Sequence, residues 1–309
     1  MTVLVTHVSG GQHVTPPHVH EQAGRLDAVL GALGDLGLEV REAPLAQRAD
    51  VLRCHTDAYV SAIDAAVPST GWTCLDADRE GETFLSPSSL GAIWRAAGGA
   101  VAAVDAILDG AARNAFVAMR PPGHHAEAAL AMGFCIFGNV AIAAKHALAR
   151  GVPRVAVLDF DVHHGNGTQT LLESDPRVLF VSVHQVPLWP GTGMSGDVGP
   201  HGTVLNLPLG AGTGEVEALL AWDSALRQVR AFAPGLILIS AGFDAHQDDP
   251  LAELRWTAGT YAKLTHRITN LAQDLCEGRV VSVLEGGYDL GALASSARAH
   301  VMELQKAAR

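Results

Sequence analysis

The sequence predicts an α/β fold, a mostly parallel sheet with helices on both faces. Two observations carry that expectation. Short runs of branched apolar residues alternate with stretches of helical period, and residues able to do chemistry come directly after the apolar runs. The run Val155 to Leu158 shows both, since Asp159, Asp161 and His163 occupy every second position after it. Side chains alternate along a strand, so these three leave its end on one side.

The strands expected in order are Val3 to His7, Ala115 to Met119, Val155 to Leu158, Val178 to Val183, Leu236 to Ser240 and Val280 to Leu284. Each is apolar on consecutive positions, as a strand covered on both faces must be. Helices are expected between them. Leu90, Ile93, Trp94, Ala97, Val101, Val104 and Leu108 recur at three- and four-residue spacing behind a Ser-Pro-Ser-Ser start. A second helix runs from Val140 to Arg150 with Gly151 as its stop, and a third from Glu215 to Phe232.

The chain has 309 residues, of which 48% are hydrophobic, enough for one large core, and a single domain over 1–309 is expected. The net charge of −11 argues against nucleic acid or acidic lipid as partners and favours cationic ones. Met1 to Leu4 reads as a strand rather than a signal peptide, and no uncharged apolar stretch is long enough to span a bilayer. Cys54, Cys74, Cys135 and Cys276 are scattered without a C-x-x-C pair, as reduced thiols of a cytoplasmic protein would be.

In open parallel sheets the active site lies beyond the carboxyl ends of the strands. The polar motifs obey that rule. Ala115 to Met119 leads to His124 and His125, Val178 to Val183 to His184 and Gln185, Leu236 to Ser240 to Asp244 and His246, and Val280 to Leu284 to Glu285 and Tyr288. One such motif alone would read as a helix cap or a turn, but their agreement places them in one cleft. Asp161, His163 and Asp244 would make a zinc site of three ligands with room for water, the open form of a catalytic metal. His124 or His125 could take the proton of the water and pass it to a leaving amine. The Tyr288 hydroxyl suits the oxyanion. The reaction class is amide hydrolysis.

The ordered motifs, Arg120 to His125, Gly133 to Cys135, Asp159 to Gln169, Pro190 to Gly193, Ala241 to Asp244 and Glu285 to Tyr288, cover most of the chain. Together they resemble the zinc-dependent histone deacetylase family, with its bacterial histone deacetylase-like amidohydrolases and acetylpolyamine amidohydrolases. The resemblance implies the arginase/deacetylase fold, an eight-stranded mostly parallel sheet between helices. It implies Asp161, His163 and Asp244 as zinc ligands, Tyr288 as donor to the scissile carbonyl, His125 as general base and acid, and His124 as its electrostatic neighbour oriented by Asp159. Asn166 stands where one branch carries Asp, which resembles the class II branch and should make His125 less basic. A structural potassium ion is also implied, held by Asp159, the carbonyls of Asp161 and His163, and Ser182; the plain alternative for Ser182 is an ordinary strand residue. Phe134 and Trp189 would flank the acyl chain, Gly133 is placed to offer its carbonyl to the substrate N–H, and Cys135 is either pocket floor or a buried free thiol.

Two stretches depart from the family pattern. His18 to Arg25 lacks its usual His-Pro-Glu-x-Pro-x-Arg, so only Arg25 carries over. Asp76 to Glu82 is an acidic loop that reads either as solvated surface or as a rim that attracts a cationic substrate. The implied activity removes acetyl groups from acetyl-lysine peptides or acetylated small amines, and a homo-oligomer is compatible with it. The alternatives are an arginase-type ureohydrolase, which needs a second metal, and a non-catalytic acyl-binding protein of the same fold.

Overall fold

In a computed structural model, which describes residues 1–309, ten strands are formed. They are β1 (Thr2–Thr6), β2 (Glu39–Glu42), β3 (Thr73–Cys74), β4 (Phe84–Leu85), β5 (Asn114–Ala118), β6 (Val155–Asp159), β7 (Val178–Gln185), β8 (Val204–Leu209), β9 (Leu236–Ala241) and β10 (Val280–Leu284). Eight of them form one sheet in the order β2-β1-β5-β10-β9-β6-β7-β8, and β3 and β4 make a separate antiparallel ribbon. Every pairing in the large sheet is parallel. The expectation of a mostly parallel sheet is thus met and exceeded.

Alternate residues of each strand face opposite cores. Val3, Val5, Val155 and Val157 join one apolar cluster, with the helices Ser89–Leu108 and Asn139–Ala149. Leu4, Ala156 and Leu158 join the other, with the helices Gly24–Leu33, Glu215–Phe232, Ala258–Cys276 and Leu290–Ala307. The helix Ser89–Leu108 is long and apolar enough to cross a membrane by length and composition, yet Ala92, Ile93, Ala96, Ala97, Ala100, Val104 and Ile107 are buried inside this fold.

Three expectations need correction. The two edge strands β2 and β8 lie outside the expected set, because Glu39–Glu42 is mostly exposed and Val204–Leu209 is interrupted by Asn206 and Pro208, so neither reads as an apolar run. His184 and Gln185 lie within β7 rather than beyond it, paired in register with Pro208 and Leu209. The third concerns Asp76 in the acidic loop: it is fully buried, accepting hydrogen bonds from the Thr83 N–H at 2.9 Å and the Cys74 thiol at 3.3 Å to close the β3–β4 ribbon.

Candidate active site

The carboxyl ends of β5, β10, β9 and β6 lie side by side in the sheet, so the segments beyond them meet. Asp161 and His163 come after β6 and Asp244 after β9, and register pairs Asp159 with Ser240 across those two strands. His163 Nδ1 lies 3.1 Å from Asp161 Oδ1 and 3.1 Å from Asp244 Oδ2. One ligand atom from each residue falls within 4.8 Å of the others, so the three could hold a metal ion. Gly286 shows how closely this cradle is closed: a Cβ there would sit 2.2 Å from Asp244 Oδ2. Its N–H instead donates to Asp161 Oδ2 at 2.9 Å.

The donor set fits a divalent cation. Asp161 and Asp244 are fully buried, and two buried carboxylates facing one imidazole are costly without further positive charge. Burial, with Asp161 beside it, pushes the Asp244 carboxyl up to about 7. Mixed carboxylate and imidazole ligands in threes are the donors of an open zinc site.

Next to this cluster the segment after β5 presents His124 and His125, with ring centroids 3.8 Å apart. Their surroundings differ. His124 Nδ1 is 3.0 Å from Asp159 Oδ2, and its Nε2 is 3.6 Å from Asp161 Oδ2. Burial opposes the charged ring, but the Asp161 and Asp159 carboxylates outweigh it and raise the His124 pKa well above the usual value. His125 is buried beside two other imidazoles; desolvation first, then His124 and His163, lower its pKa well below the usual value. Its Nδ1 faces Asn166 Oδ1 at 2.8 Å. The two histidines in contact are thus pushed in opposite directions by their surroundings, and opposed shifts of neighbouring titratable groups are a feature of acid/base sites.

These groups border a cavity of about 250 Å³ lined by His125, His163, Gly133, Phe134, Leu188, Trp189, Leu251, Tyr288, Glu80 and Glu82. Gly133 has φ +55°, and a Cβ there would lie 2.5 Å from the Trp189 ring and 2.6 Å from His125 Cδ2, so this wall admits no side chain. The next residue, Phe134, also has a positive φ, 67°, an unusual state for a non-glycine residue and one found at functional clefts. Its N–H is held by Thr83 Oγ1 at 3.0 Å. Cys135 is fully buried behind the wall. Of the residues expected in the cleft, His125, His163, Gly133, Phe134, Trp189 and Tyr288 line the cavity, while His124 stands behind it with Asp159, Asp161, Asn166 and Asp244, each of these four in polar contact with one of the histidines. His184, Gln185 and His246 are not in its lining, and Ser182 pairs in register with Asp159 within β7.

The chain matches the histone deacetylase domain over residues 18–304. The chain belongs to the histone deacetylase family. It is 39% identical over 298 residues to histone deacetylase 14, chloroplastic, of Arabidopsis thaliana, covering 89% of this chain and 70% of the relative. It is 38% identical over 304 residues to a probable deacetylase of Archaeoglobus fulgidus, covering 95% and 83%. It is also 40% identical over 276 residues to the histone deacetylase-like amidohydrolase of Pseudomonas aeruginosa, covering 87% and 71%. Among solved structures, the HD domain of HDA15 superposes with a TM-score of 0.91 at 32% identity, covering 98% of this chain and 90% of that one. The fold is accordingly that of the deacetylases, and the chain is a hydrolase of that family.

Several groups hold this deacetylase site together; the sequence marks Glu285 and Arg25 by their motifs without giving them this role, and does not single out Asp249 or Glu21. Glu285 is fully buried, and its Oε2 accepts from the N–H groups of Gly123 at 2.6 Å and His124 at 3.1 Å, fixing the loop that carries both histidines. Asp249 Oδ2 accepts from the Tyr288 N–H at 2.7 Å, and its Oδ1 from the Leu251 N–H at 3.1 Å. Arg25 donates to the carbonyls of Gly287 at 2.6 Å and Glu285 at 2.5 Å, and its guanidinium lies 4.9 Å from the centre of the Tyr288 ring. Behind it, Glu21 is ion-paired with both Arg25 and Arg120, all three fully buried. Such an acid is visible in the sequence only as one of many surface-like charges; its placement next to the carried-over Arg25 is the available signal.

Proposed function

We propose that this chain is a zinc-dependent amidohydrolase that removes the acetyl group from the terminal amine of a long alkyl chain, as in acetyl-lysine or an acetylated polyamine. The observation that carries the reading is the convergence of Asp161, His163 and Asp244 into one cluster, whose His163 lines a cavity together with His125 and Tyr288. A zinc ion held by these three would supply Lewis acidity at the scissile carbonyl.

The residues of the chain supply the rest. His125, kept neutral, takes a proton on Nε2 from the attacking water and returns it to the departing amine. His124, whose pKa the neighbouring Asp161 and Asp159 carboxylates raise against burial, stands beside it as its electrostatic neighbour. The Tyr288 hydroxyl donates to the oxygen on which negative charge develops. Burial holds this phenol well above its usual pKa, so it keeps its proton for donation. Phe134 and Trp189 offer apolar ring surface to an extended methylene chain.

A potassium ion beneath the site belongs to the same proposal, held by Asp159, Ser182 and main-chain carbonyls. In support, Asp159 and Ser182 are fully buried register partners, and the carbonyls of Asp161 and His163 accept no main-chain hydrogen bond. Ser182 Oγ also lies 2.9 Å from His184 Nδ1.

The cationic class of substrate is supported by Glu80 and Glu82, which reach the cavity from the acidic loop. The test is to incubate the purified chain with an acetyl-lysine peptide and an acetylated diamine, side by side, and measure acetate release. Hydrolysis of at least one, with the Asp161→Ala variant silent on both, is the expected result. Failure of the chain to hydrolyse either would overturn the proposal.

A further inference from the structure

His125 can act as a base only from the ring nitrogen that carries no proton, so its tautomer decides whether the site works. That tautomer is set from Nδ1, which faces Asn166 Oδ1 at 2.8 Å. An Asn side chain has an accepting end and a donating end of nearly the same shape, so whichever end meets His125 is chosen by what surrounds the other. Asn166 Nδ2 lies 3.0 Å from Glu127 Oε1 and 3.5 Å from the Met132 sulfur. Both neighbours are acceptors, and an ionised carboxylate can do nothing but accept. The amino end must face Glu127. The carbonyl oxygen is thereby turned to His125, Nδ1 must carry the hydrogen, and Nε2 is the bare nitrogen of a ring that lines the cavity.

We infer that Glu127 is a positioning residue for the base, selecting through Asn166 the His125 tautomer that is protonated on Nδ1. The inference rests on the reading of His125 as the base. Glu127 is well placed to do this. It stands two residues after His125, and its N–H donates to the Leu130 carbonyl at 2.9 Å in a tight turn that fixes its backbone. Asn166 itself is buried at the start of the helix Asn166–Leu172, whose Thr168 N–H donates to the His124 carbonyl at 3.0 Å. The amide passes no proton. Its role is to orient, and the carboxylate polarises it in the direction that stabilises His125 once Nε2 has gained its proton.

The experiment is a substitution series read as kcat and KM on an acetyl-lysine peptide. Glu127→Gln keeps an accepting oxygen for Asn166 and should stay near the parent rate. Glu127→Ala frees the amide to turn, with only the Met132 sulfur opposing, and should lower kcat about tenfold at nearly constant KM, within the range typical of groups that orient a reactive histidine. Glu127→Lys presents a donor instead, favours the turned amide, and should cost roughly a hundredfold, the upper end of that range. Adding Asn166→Asp to Glu127→Lys gives one accepting oxygen to each neighbour and should restore most of the loss. A purely structural role predicts no such rescue. Unchanged kcat in Glu127→Ala and Glu127→Lys, a Glu127→Gln loss as large as that of Glu127→Ala, or a Glu127→Lys loss that Asn166→Asp leaves in place would each overturn the inference. His125→Ala separates the two levels: if it retains turnover the base itself is misassigned, and if it is inactive while the Glu127 series is flat, only the role of Glu127 is wrong.

Discussion

The floor of the cavity and its rim are built in different ways. The floor is made by residues a few positions beyond the ends of adjacent strands, and Asp161, Asp244, His124 and His125 are all buried there, their places set by sheet register. The rim is made by loops distant in sequence. Trp189 and Glu80 are 109 residues apart and meet through one hydrogen bond, indole N–H to carboxylate, at 2.8 Å. Glu80 and Glu82 are exposed. The sheet places the groups of the floor, and loops place whatever lies outside it, as is usual for residues that vary around a fixed scaffold. Substitutions in the floor should therefore act on the rate of every substrate alike, and substitutions in the rim should discriminate between substrates.

The largest effect is expected from Asp244→Ala, which removes a carboxylate from the three-residue cluster. Turnover of every acetylated substrate should fall below detection while the melting temperature shows a folded protein, because the residue lies beyond the end of β9. Wild-type rates in this variant would exclude Asp244 as a ligand. Tyr288→Phe comes next. It deletes only a hydroxyl, so kcat should drop roughly a hundredfold with KM little changed. A change confined to KM would make Tyr288 a binding residue and weaken the contrast between floor and rim.

The floor is also the part most legible in the sequence, for a physical reason. A buried parallel strand is a run of branched apolar residues, and the residues after its last apolar position must emerge at the carboxyl edge, so Val155 to His163 discloses both the strand and two members of the cluster that could hold a metal. Edge strands and loops carry no such pattern. Glu39–Glu42 looks like surface because it is surface on most positions, and Asp76 reads as rim although it is the buried fastening of its own loop. Charge alone does not say whether a carboxylate faces water or a main-chain N–H. The roles of the supports behind the site are illegible for the same reason, even for Glu285, whose position after β10 is plain in the sequence. Glu21, Glu285 and Asp249 are acids whose partners Arg120, Gly123 and Tyr288 lie 99, 162 and 39 residues away, contacts that only the fold creates.

Glu21 offers a test of how much the floor depends on its foundation. Arg120 and Arg25 outweigh the desolvation of its carboxyl and hold its pKa down at about 2, from an ordinary 4.5. Its folded-state pKa is depressed, so the stabilisation is complete above pH 4.5 and disappears as the pH falls toward 2. Glu21→Gln should cost about 3–5 kcal/mol at neutral pH, since it leaves two guanidinium groups buried without their anion. It should also flatten the acid limb of a plot of melting temperature against pH. An unchanged acid limb would show that Glu21 does not govern it.

The smallest effect belongs to the rim. Glu80→Gln and Glu82→Gln together should lower kcat/KM for a cationic acetylated amine a few-fold, leave an uncharged acetyl-amide nearly unaffected, and lose the difference at high salt, where the roughly 8 Å screening length of physiological ionic strength shortens further. Equal effects on both substrates would remove charge from the account of the rim.

The central claim is that one metal ion, held by Asp161, His163 and Asp244, is required for hydrolysis. The most direct measurement is metal content and turnover monitored together during chelation and readdition of zinc. The account predicts that activity disappears with the metal, that it returns in proportion to zinc bound up to one ion per chain, and that the Asp244→Ala chain neither retains zinc nor recovers. Full turnover by metal-free protein would contradict it.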